Sequence, residues 1–260
     1  TGTPIYKENA QSDTLTTNEI FGEELHKYLM VNAQKDGHIL AFDIYPYHKI
    51  YIESHDKLLS ELTEPLRKEA ITELIIKEYD KHTYKREFNA ILATNSKIDL
   101  LDYYRLFKKK NHNLKVTAIF TSENEVDDIN TDDTTTKEEK NTGLQEIIED
   151  FNKDFGTNHS ISEADKFYID VQEKVKAKEI DLVIVVDMLL TGFDSNKLST
   201  IYLDKNIKQH RLIQAMSRVN RVSGPQKKYG NVVCFKPLEE EIKEALVMFN
   251  RGSTSISSLT

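Results

Sequence analysis

Apolar residues follow two different spacings along this chain, and the alternation between them predicts the order of its elements. Continuous apolar runs at 88–94, 115–121 and 181–187 predict buried strands, and shorter runs at 200–203 and 231–235 predict two more. Helical spacing fills the intervals, at 96–110, 144–155, 163–177 and 209–220, and returns at 238–249. Strands that alternate with helices are typical of an α/β fold, so we predict a doubly wound parallel sheet from about Phe88 onward.

The part of the chain before Phe88 is predicted to be mostly helical. Helices are expected from Glu19 towards Ala33, over Lys57–Leu62 and over Pro65–His82. A strand is expected over His38–Tyr47, where apolar and polar residues alternate. Residues 123–140 are rich in Asp, Glu and Thr and are expected to form a mobile, disordered loop.

The composition is that of an ordinary soluble protein with a local excess of acid. Hydrophobic residues make up 38% of the 260 and charged residues 30%, which excludes a collagen-like or wholly disordered chain. The net charge is −8, yet residues 123–150 hold 11 acidic and 2 basic side chains, so the remainder carries +1. This balance neither forbids nor favours a DNA-binding surface. The chain shows no apolar stretch long enough for a membrane and no leader, so we expect a cytoplasmic protein.

A Thr-Gly-Phe-Asp turn at 191–194 follows the most apolar of the predicted strands. Thr191 offers a hydroxyl, Gly192 an open backbone amide and Asp194 a carboxylate, which together suit a phosphate and a ribose hydroxyl. The alternative is an ordinary strand-to-loop turn in which Asp194 caps nearby backbone. Ligands of doubly wound sheets bind at the carboxyl ends of strands, so we expect the chemistry just after residues 93, 120, 186 and 203.

The predicted helix at 209–220 has one apolar and one cationic face. The apolar face consists of Leu212, Met216 and Val219, and the opposite face of Gln214, Arg218 and Arg221. Two guanidinium groups one turn apart suit phosphate oxygens, and an arginine at a γ-phosphate stabilises the charge that develops during transfer. A solvated polar face is the alternative. No acid lies between residues 204 and 239, so the basic residues there are expected to lack local partners, namely Arg211, Arg218, Arg221, Lys227 and Lys228.

Two pairs of small polar residues lie where predicted strands end. Thr94 and Ser96 come just before a predicted helix, and Thr121 and Ser122 repeat the arrangement after the next strand. A helix N-terminus attracts anions, so these residues are candidates for contacts with nucleic-acid phosphates. Ordinary helix caps and loops are the alternative.

Several signatures of catalysis are absent from the sequence. None of the nine glycines precedes a lysine, so there is no P-loop, and no Asp precedes a Glu to hold magnesium and a hydrolytic water. The eight histidines show no metal-binding spacing, and the single cysteine, Cys234, excludes a multi-cysteine zinc site. The chain therefore has part of a nucleotide-driven motor and lacks the part that binds triphosphate and metal.

Three segments resemble motifs of superfamily 2 helicases and translocases. Thr1–Pro4 looks like motif III, Thr191–Asp194 like motif V and Gln214–Arg221 like motif VI. The longer phrases around them are similar to the motor (R) subunit of type I restriction endonucleases, namely Thr1–Ile5, Ile20–Tyr28, Met188–Asp194, Leu203–Lys205 and Leu212–Arg221. The resemblance covers nearly the whole chain except the acidic loop. It departs at Ser217, where many superfamily members carry glycine.

The resemblance implies a RecA-like, P-loop-NTPase-type fold and a division of the chain. Residues 1–50 would be the end of a first RecA-like motor domain and its connecting segment, and 51–87 a helical linker. Residues 88–250 would form the second RecA-like domain, and 251–260 a C-terminal tail. Because the chain starts inside a motif and without methionine, we expect it to be a piece of a longer protein.

The resemblance also implies a role for each candidate residue. Arg218 and Arg221 would act catalytically on ATP across an interdomain cleft, with Gln214, Gly192 and Asp194 also at the nucleotide. The DNA backbone would be contacted by Thr94, Ser96, Thr121, Ser122 and Thr191, while Thr1 and Thr3 would couple the two domains. ATP and Mg²⁺ would be bound mainly by the first motor domain, so this chain alone should lack ATPase activity.

The intact subunit would hydrolyse ATP to pull double-stranded DNA, cleave it, and assemble with the methyltransferase and specificity subunits. The residues leave two other functions open. One is another superfamily 2 DNA or RNA helicase or remodeller. The other is a catalytically inactive RecA-like binding scaffold, which the missing P-loop favours.

Overall fold

The computed structural model describes residues 4–5, 7, 15–23, 26, 28–121 and 137–250. Its helices are α1 (Thr17–Phe21), α2 (Met30–Lys35), α3 (Glu64–His82), α4 (Lys97–Lys109), α5 (Lys137–Phe155), α6 (Ala164–Lys176), α7 (Gln209–Met216) and α8 (Glu239–Phe249). Its strands are β1 (Phe42–Tyr45), β2 (Tyr51–Ile52), β3 (Lys57–Leu58), β4 (Asn89–Thr94), β5 (Val116–Ile119), β6 (Leu182–Val185), β7 (Leu198–Asp204) and β8 (Gly230–Cys234).

Six of these strands form one sheet in the order β1-β8-β7-β4-β6-β5, and every pairing in it is parallel. Ile91 of β4 lies opposite Val183 of β6 on one side and Ile201 of β7 on the other. The two remaining strands, β2 and β3, form a separate antiparallel pair. The predicted α/β fold with a parallel sheet is confirmed.

The sheet is covered on both faces. Every residue of β4, β6, β7 and β8 is buried, which requires packing above and below these strands. Connections between parallel strands are right-handed, so the direction of a connection decides which face its helix covers. The connections that run towards β5 place α3 and α4 on one face of the sheet. The connections that run back towards β8 place α6 and α7 on the other face. Ile75, Tyr103 and Phe167, from α3, α4 and α6, are at most 1% exposed in the core.

The sheet begins earlier in the chain than expected. The strand predicted over His38–Tyr47 exists as β1 and pairs with β8, with Ile44 opposite Val232, so the expected start of the sheet near Phe88 is wrong. Helix α3 also contributes core residues, Ile71 and Tyr79 among them, rather than serving as a bare linker. The alternating pattern of β1 indicates a strand but does not identify the strand beside it. Here β1 is an edge strand, and its one neighbour is β8.

Three local predictions differ from the structure. The helix expected from Glu19 towards Ala33 is two short helices, because Gly22 takes φ +82 and ends α1. The helix expected over Lys57–Leu62 is β3 followed by a 3-10 turn, since Asp56 adopts φ +53 and reverses the chain. Residues 137–140 of the predicted loop form the first turn of α5, and the rest of that loop lies outside the described residues.

Candidate functional site

The sheet has a switch point between β4 and β7, because the chain leaves β4 towards β5 and leaves β7 towards β8. Such points open a crevice at the carboxyl ends of the strands. Here the Asn206 N–H donates to Asn95 Oδ1 at 2.8 Å. Lys205 Nζ lies 3.3 Å from both the Thr94 carbonyl oxygen and Asp187 Oδ1. We call residues 94–96, 187 and 204–206 the switch-point crevice.

Two of the predicted DNA contacts lie in this crevice with their hydroxyls used internally. Thr94 is fully buried, and its Oγ1 lies 3.2 Å from the carbonyl oxygens of Val185 and Ser96. The Thr94 side chain is therefore satisfied inside the fold, and the predicted contact of this region with DNA stays a prediction. Ser96 is the N-cap of α4: its Oγ accepts from the Asp99 N–H at 3.1 Å and donates to the Asp99 carboxylate at 2.9 Å. Ser96 thus follows the alternative of an ordinary cap.

A buried ion pair supports the crevice. Arg67 Nη2 donates to Asp204 Oδ1 at 2.6 Å, and the Tyr103 hydroxyl donates to Asp204 Oδ2 at 2.6 Å. Burial lowers the pKa of Arg67 while the Asp204 charge raises it, and the net shift is upward. Arg67 comes 137 residues before Asp204, so no spacing in the sequence could have indicated the pair.

The other small polar candidates have different outcomes. Thr121 is half-buried just beyond β5, and its predicted contact with DNA stays a prediction. Ser122, Thr1 and Thr3 lie outside the described residues, as does the predicted tail at 251–260.

The Thr-Gly-Phe-Asp turn is exposed except for its aromatic residue. Phe193 is 4% exposed and anchors the turn, with its N–H bonded to the Thr191 carbonyl oxygen at 2.9 Å. Thr191 and Asp194 are exposed. Gly192 takes φ +71, and a Cβ placed there would meet no atom within 4 Å. The hydroxyl, the amide and the carboxylate named from the sequence are all open to a ligand.

The end of this turn lies at the amino ends of the strands, opposite to the carboxyl ends at which it was expected. No helix joins β6 to β7, so residues 186–197 run from the carboxyl end of β6 to the amino end of β7. Ser195 accepts a backbone hydrogen bond from Leu198, the first residue of β7. Phe193 and Asp194 therefore lie towards the amino ends of the strands, because this connection is irregular chain rather than a helix.

The two candidate arginines follow α7 instead of lying on it. The helix ends at Met216, and turn hydrogen bonds replace the helical ones, from the Arg218 N–H to Ala215 and from the Val219 N–H to Met216, both 3.1 Å. Ser217 Oγ donates back to the Ile213 carbonyl oxygen at 2.7 Å. The predicted helix to Asn220 is therefore too long, although Leu212, Met216 and Val219 are all fully buried as expected.

Arg218 points at the Thr-Gly-Phe-Asp turn. Its Nη1 donates to the Phe193 carbonyl oxygen, and its Nε donates to the Gln214 carbonyl oxygen at 3.0 Å. Burial lowers the pKa of Arg218, the nearby Arg221 charge lowers it further, and Asp194 raises it. An arginine keeps its proton under such shifts, so the group stays a cation.

Arg221 meets the same turn one residue further on. Its Nε donates to Asp194 Oδ1 at 2.9 Å, and the two side chains are 41% and 59% exposed. Its backbone forms a bridge with Ile39, which precedes β1, so Arg221 also lies at the amino ends of the strands. Arg221 has no acidic partner nearby in the sequence, as expected, and its partner Asp194 comes instead from the connection between β6 and β7.

Sequence reasoning missed Lys227. The side chain is 2% exposed, and its Nζ donates to the carbonyl oxygens of Leu198 at 2.6 Å and Arg221 at 2.8 Å. Burial, and next the Arg221 charge, lower the pKa of Lys227 to about 7. The sequence predicted only that Lys227 lacks a local acidic partner, and nothing in the pattern distinguishes it from Lys228, which is exposed. We call Phe193, Asp194, Arg218, Arg221 and Lys227 the arginine edge.

Metal-binding clusters and membrane-spanning helices are absent from the residues that the structure describes. Among them, His, Cys, Asp and Glu side chains form no group of three or more able to hold a metal ion. Within the same residues, every helix is too short or too polar to cross a membrane.

Comparison with known proteins places this geometry in a family. Residues 86–237 match the family model described as type I restriction enzyme subunit R domain 3. The chain is 37% identical to the type I restriction enzyme SauMRSORF196P endonuclease subunit of Staphylococcus aureus (strain MRSA252), over 96% of this chain and 29% of the relative. The chain belongs to the type I restriction enzyme R subunit family. The segment matched by the family model contains β4–β8 and both arginines.

Other members of the type I restriction enzyme family are similar over comparable lengths. The SsaAORF53P endonuclease subunit of Staphylococcus saprophyticus is 36% identical over 96% of this chain and 29% of its own length. A solved fragment assigned to the HsdR subunit of a type I restriction enzyme from Vibrio vulnificus YJ016 aligns with a TM-score of 0.48 and 13% identity, over 92% of this chain and 39% of that one. The chain thus spans less than a third of the S. aureus and S. saprophyticus relatives. The resemblance to R subunits and the α/β fold with a parallel sheet expected from the sequence are confirmed.

Proposed function

We propose that this chain is the second RecA-like half of an ATP-driven DNA motor in a type I restriction enzyme R subunit. In it, Arg218 and Arg221 meet the phosphates of a nucleotide held by a neighbouring domain. One observation carries the proposal: two partly exposed guanidinium groups from a single turn converge on one short segment, the carbonyl oxygen of the buried Phe193 and the carboxylate of the exposed Asp194. A merely solvated cationic face would not direct both arginines to the same turn.

The donor set fits a triphosphate. Each guanidinium is planar, permanently charged and able to donate two parallel hydrogen bonds to phosphate oxygens. ATP with Mg²⁺ supplies the phosphoryl group and neutralises part of its charge when bound. Arg221 then has two competing acceptors, the Asp194 carboxylate and a phosphate oxygen. Because the pair with Asp194 is partly exposed and weak, Arg221 can leave it at small cost.

Thr191 and Gly192 suit the DNA backbone. Both are exposed, and the free space around Gly192 allows a phosphate to approach its amide closely. The same turn continues into Phe193 and Asp194, which contact Arg218 and Arg221. A rigid turn that touches DNA at one end and the arginines at the other would couple nucleotide hydrolysis to movement along the duplex.

The whole protein's activity follows from the same proposal. The intact subunit would hold ATP and Mg²⁺ mainly on its first motor domain, pull double-stranded DNA and cut it. It would work in a complex with methyltransferase and specificity subunits in the cytoplasm. The relatives' names as endonuclease subunits of type I restriction enzymes support this assignment.

Replacement of Arg218 in the intact subunit tests the proposal. We expect Arg218→Ala to lower ATP turnover by about 10³-fold or more, because the cation facing the transferred phosphoryl group is lost, and to leave DNA binding nearly intact. Arg218→Lys should keep a donor for Phe193 yet lose most turnover, since lysine lacks the planar fork. Arg105→Ala is the control: it removes a surface pair between Arg105 on α4 and Glu146 on α5, and it should keep wild-type turnover. Wild-type turnover in Arg218→Ala would instead support the scaffold alternative.

A further inference from the structure

Lys227 buries its side-chain amino group at a site where an apolar side chain would cost less free energy. It belongs to the loop at 222–229, and its Nζ lies 5.6 Å from the centroid of the Phe88 ring. In the described part of the chain its hydrogen bonds go to carbonyl oxygens, not to a carboxylate. Burying such a group costs free energy that two neutral acceptors repay only in part. Its presence is therefore better explained by what it holds in place than by stability.

The two carbonyl groups that Lys227 joins come from different parts of the arginine edge. One belongs to Leu198, the first residue of β7 and part of the rigid sheet, and the other to Arg221. Lys227 thus ties the backbone of Arg221 directly to the sheet. The Arg221 side chain leaves that backbone in the direction of Asp194.

Two further contacts fix the same segment from other sides. The Leu40 N–H donates to the Asn220 carbonyl oxygen at 2.8 Å. Gly230 lies so close that a Cβ there would come within 2.9 Å of the Val219 backbone. Beside the backbone bridge from Arg221 to Ile39, the bond from Lys227 is a side-chain tie made directly to the Arg221 carbonyl oxygen. Arg221 has no regular helix to hold it, because α7 ends five residues earlier at Met216.

We propose that Lys227 is a positioning residue that fixes the Arg221 backbone on the sheet, so that the guanidinium is presented to the nucleotide phosphates in one orientation. The inference rests on the function proposed above and adds to its site a residue that lies outside the Gln214–Arg221 motif. A displacement of about 1 Å at a catalytic group costs up to about 10²-fold in rate. Loss of the lysine should therefore act on turnover more than on ATP affinity.

The test compares Lys227→Met with Lys228→Met in the intact subunit, measuring kcat and KM for DNA-stimulated ATP hydrolysis and the thermal unfolding midpoint. Met fills the space of the lysine stem without a donor. We expect Lys227→Met to lower kcat by about tenfold or more, with a much smaller change in KM and an unfolding midpoint that is unchanged or higher. Lys228 is exposed, so Lys228→Met should match the wild type. Wild-type kcat in Lys227→Met would overturn the inference.

Arg221→Ala and the double variant separate this inference from the proposed function. If Lys227 acts through Arg221, adding Lys227→Met to Arg221→Ala should cause no further loss of kcat. Full turnover in Arg221→Ala would overturn the proposed function and this inference with it. A loss in Arg221→Ala without one in Lys227→Met, or losses that multiply in the double variant, would overturn this inference alone.

A variant that fails to fold does not end the test. If Lys227→Met does not accumulate as folded protein, Lys227→Gln takes its place, because the amide still donates to a carbonyl oxygen. We expect Lys227→Gln to retain more kcat than Arg221→Ala and less than the wild type. A lowered unfolding midpoint in Lys227→Gln at wild-type kcat would mean that the lysine only supports the fold.

Discussion

The switch-point crevice and the arginine edge lie at opposite ends of the same strands, and they use their polar groups in opposite ways. In the crevice, Thr94 and Asp204 are buried and bonded to the protein itself. At the arginine edge, Asp194 and Arg221 meet in a pair that is about half exposed. Polar groups satisfied inside a fold contribute to stability, whereas polar groups left partly exposed can exchange partners. The arginine edge is therefore the region whose polar groups can exchange their present partners for a ligand.

The largest effect that this comparison predicts is on stability in the crevice. Arg67→Met leaves the buried Asp204 carboxylate with the Tyr103 hydroxyl and the more distant Lys236, whose Nζ is 3.9 Å away. We expect the free energy of unfolding to fall by about 3–5 kcal/mol, measured by urea denaturation of this chain. Arg105→Met, which breaks an exposed pair, should change it by less than about 1 kcal/mol. Equal effects of the two variants would contradict the distinction between the regions.

A somewhat smaller loss of stability is expected when the pH falls and His82, at the amino-terminal half of the sheet, takes up a proton. His82 is bonded through its ring nitrogens to the hydroxyls of Tyr47 at 3.2 Å and Tyr202 at 3.3 Å. Burial, and next the Lys81 charge, lower the pKa of His82 to about 4. The unfolded chain therefore binds more protons between about pH 6.5 and 4, so stability should fall by about 3 kcal/mol as the pH drops through this window.

His82→Phe checks the assignment of that acid lability. We expect the variant to be less stable than the wild type near pH 7, because the buried Tyr202 hydroxyl loses its partner. It should nevertheless lose less stability on acidification, since the titrating group is gone. The measurement is the unfolding free energy at several pH values, with His55→Phe, at an exposed site, as the control. An unchanged pH slope in His82→Phe would assign the lability to another group.

The smallest effect is expected where the arginine edge meets solvent. Asp194→Asn removes the charge that faces Arg221, and because the pair is about half exposed, the unfolding free energy should change by less than about 1 kcal/mol. The measurement is urea denaturation beside Arg67→Met. A loss of several kcal/mol in Asp194→Asn would show that the arginine edge is as much a structural element as the crevice.

Much of the fold could be predicted because its signals are local. The runs that became β4 and β6 are buried throughout, and they are apolar at residues 90–93 of β4 and at every position of β6. Pro65 lies in the first turn of α3 as expected. The capping role of Ser96 was also open to prediction, since a small polar residue before a helix satisfies a free amide. What failed were the ends and partners of elements: the helix past Met216, the strand partner of β1 and the hairpin at 51–58. The partner of β1 comes from residues far away in the sequence, whereas the hairpin closes through the local turn at Asp56.

The sequence by itself determined the alternation of strands and helices, the apolar side of α7 and the two arginines that follow it. Only the tertiary structure decided at which end of the strands those arginines lie, and that Thr94 is buried while Thr191 is exposed. The same is true of Lys227, which looks like its exposed neighbour until the chain folds over it. The physical reason is that burial and hydrogen-bond partners arise from contacts between distant segments, whereas periodicity and capping act within a few residues.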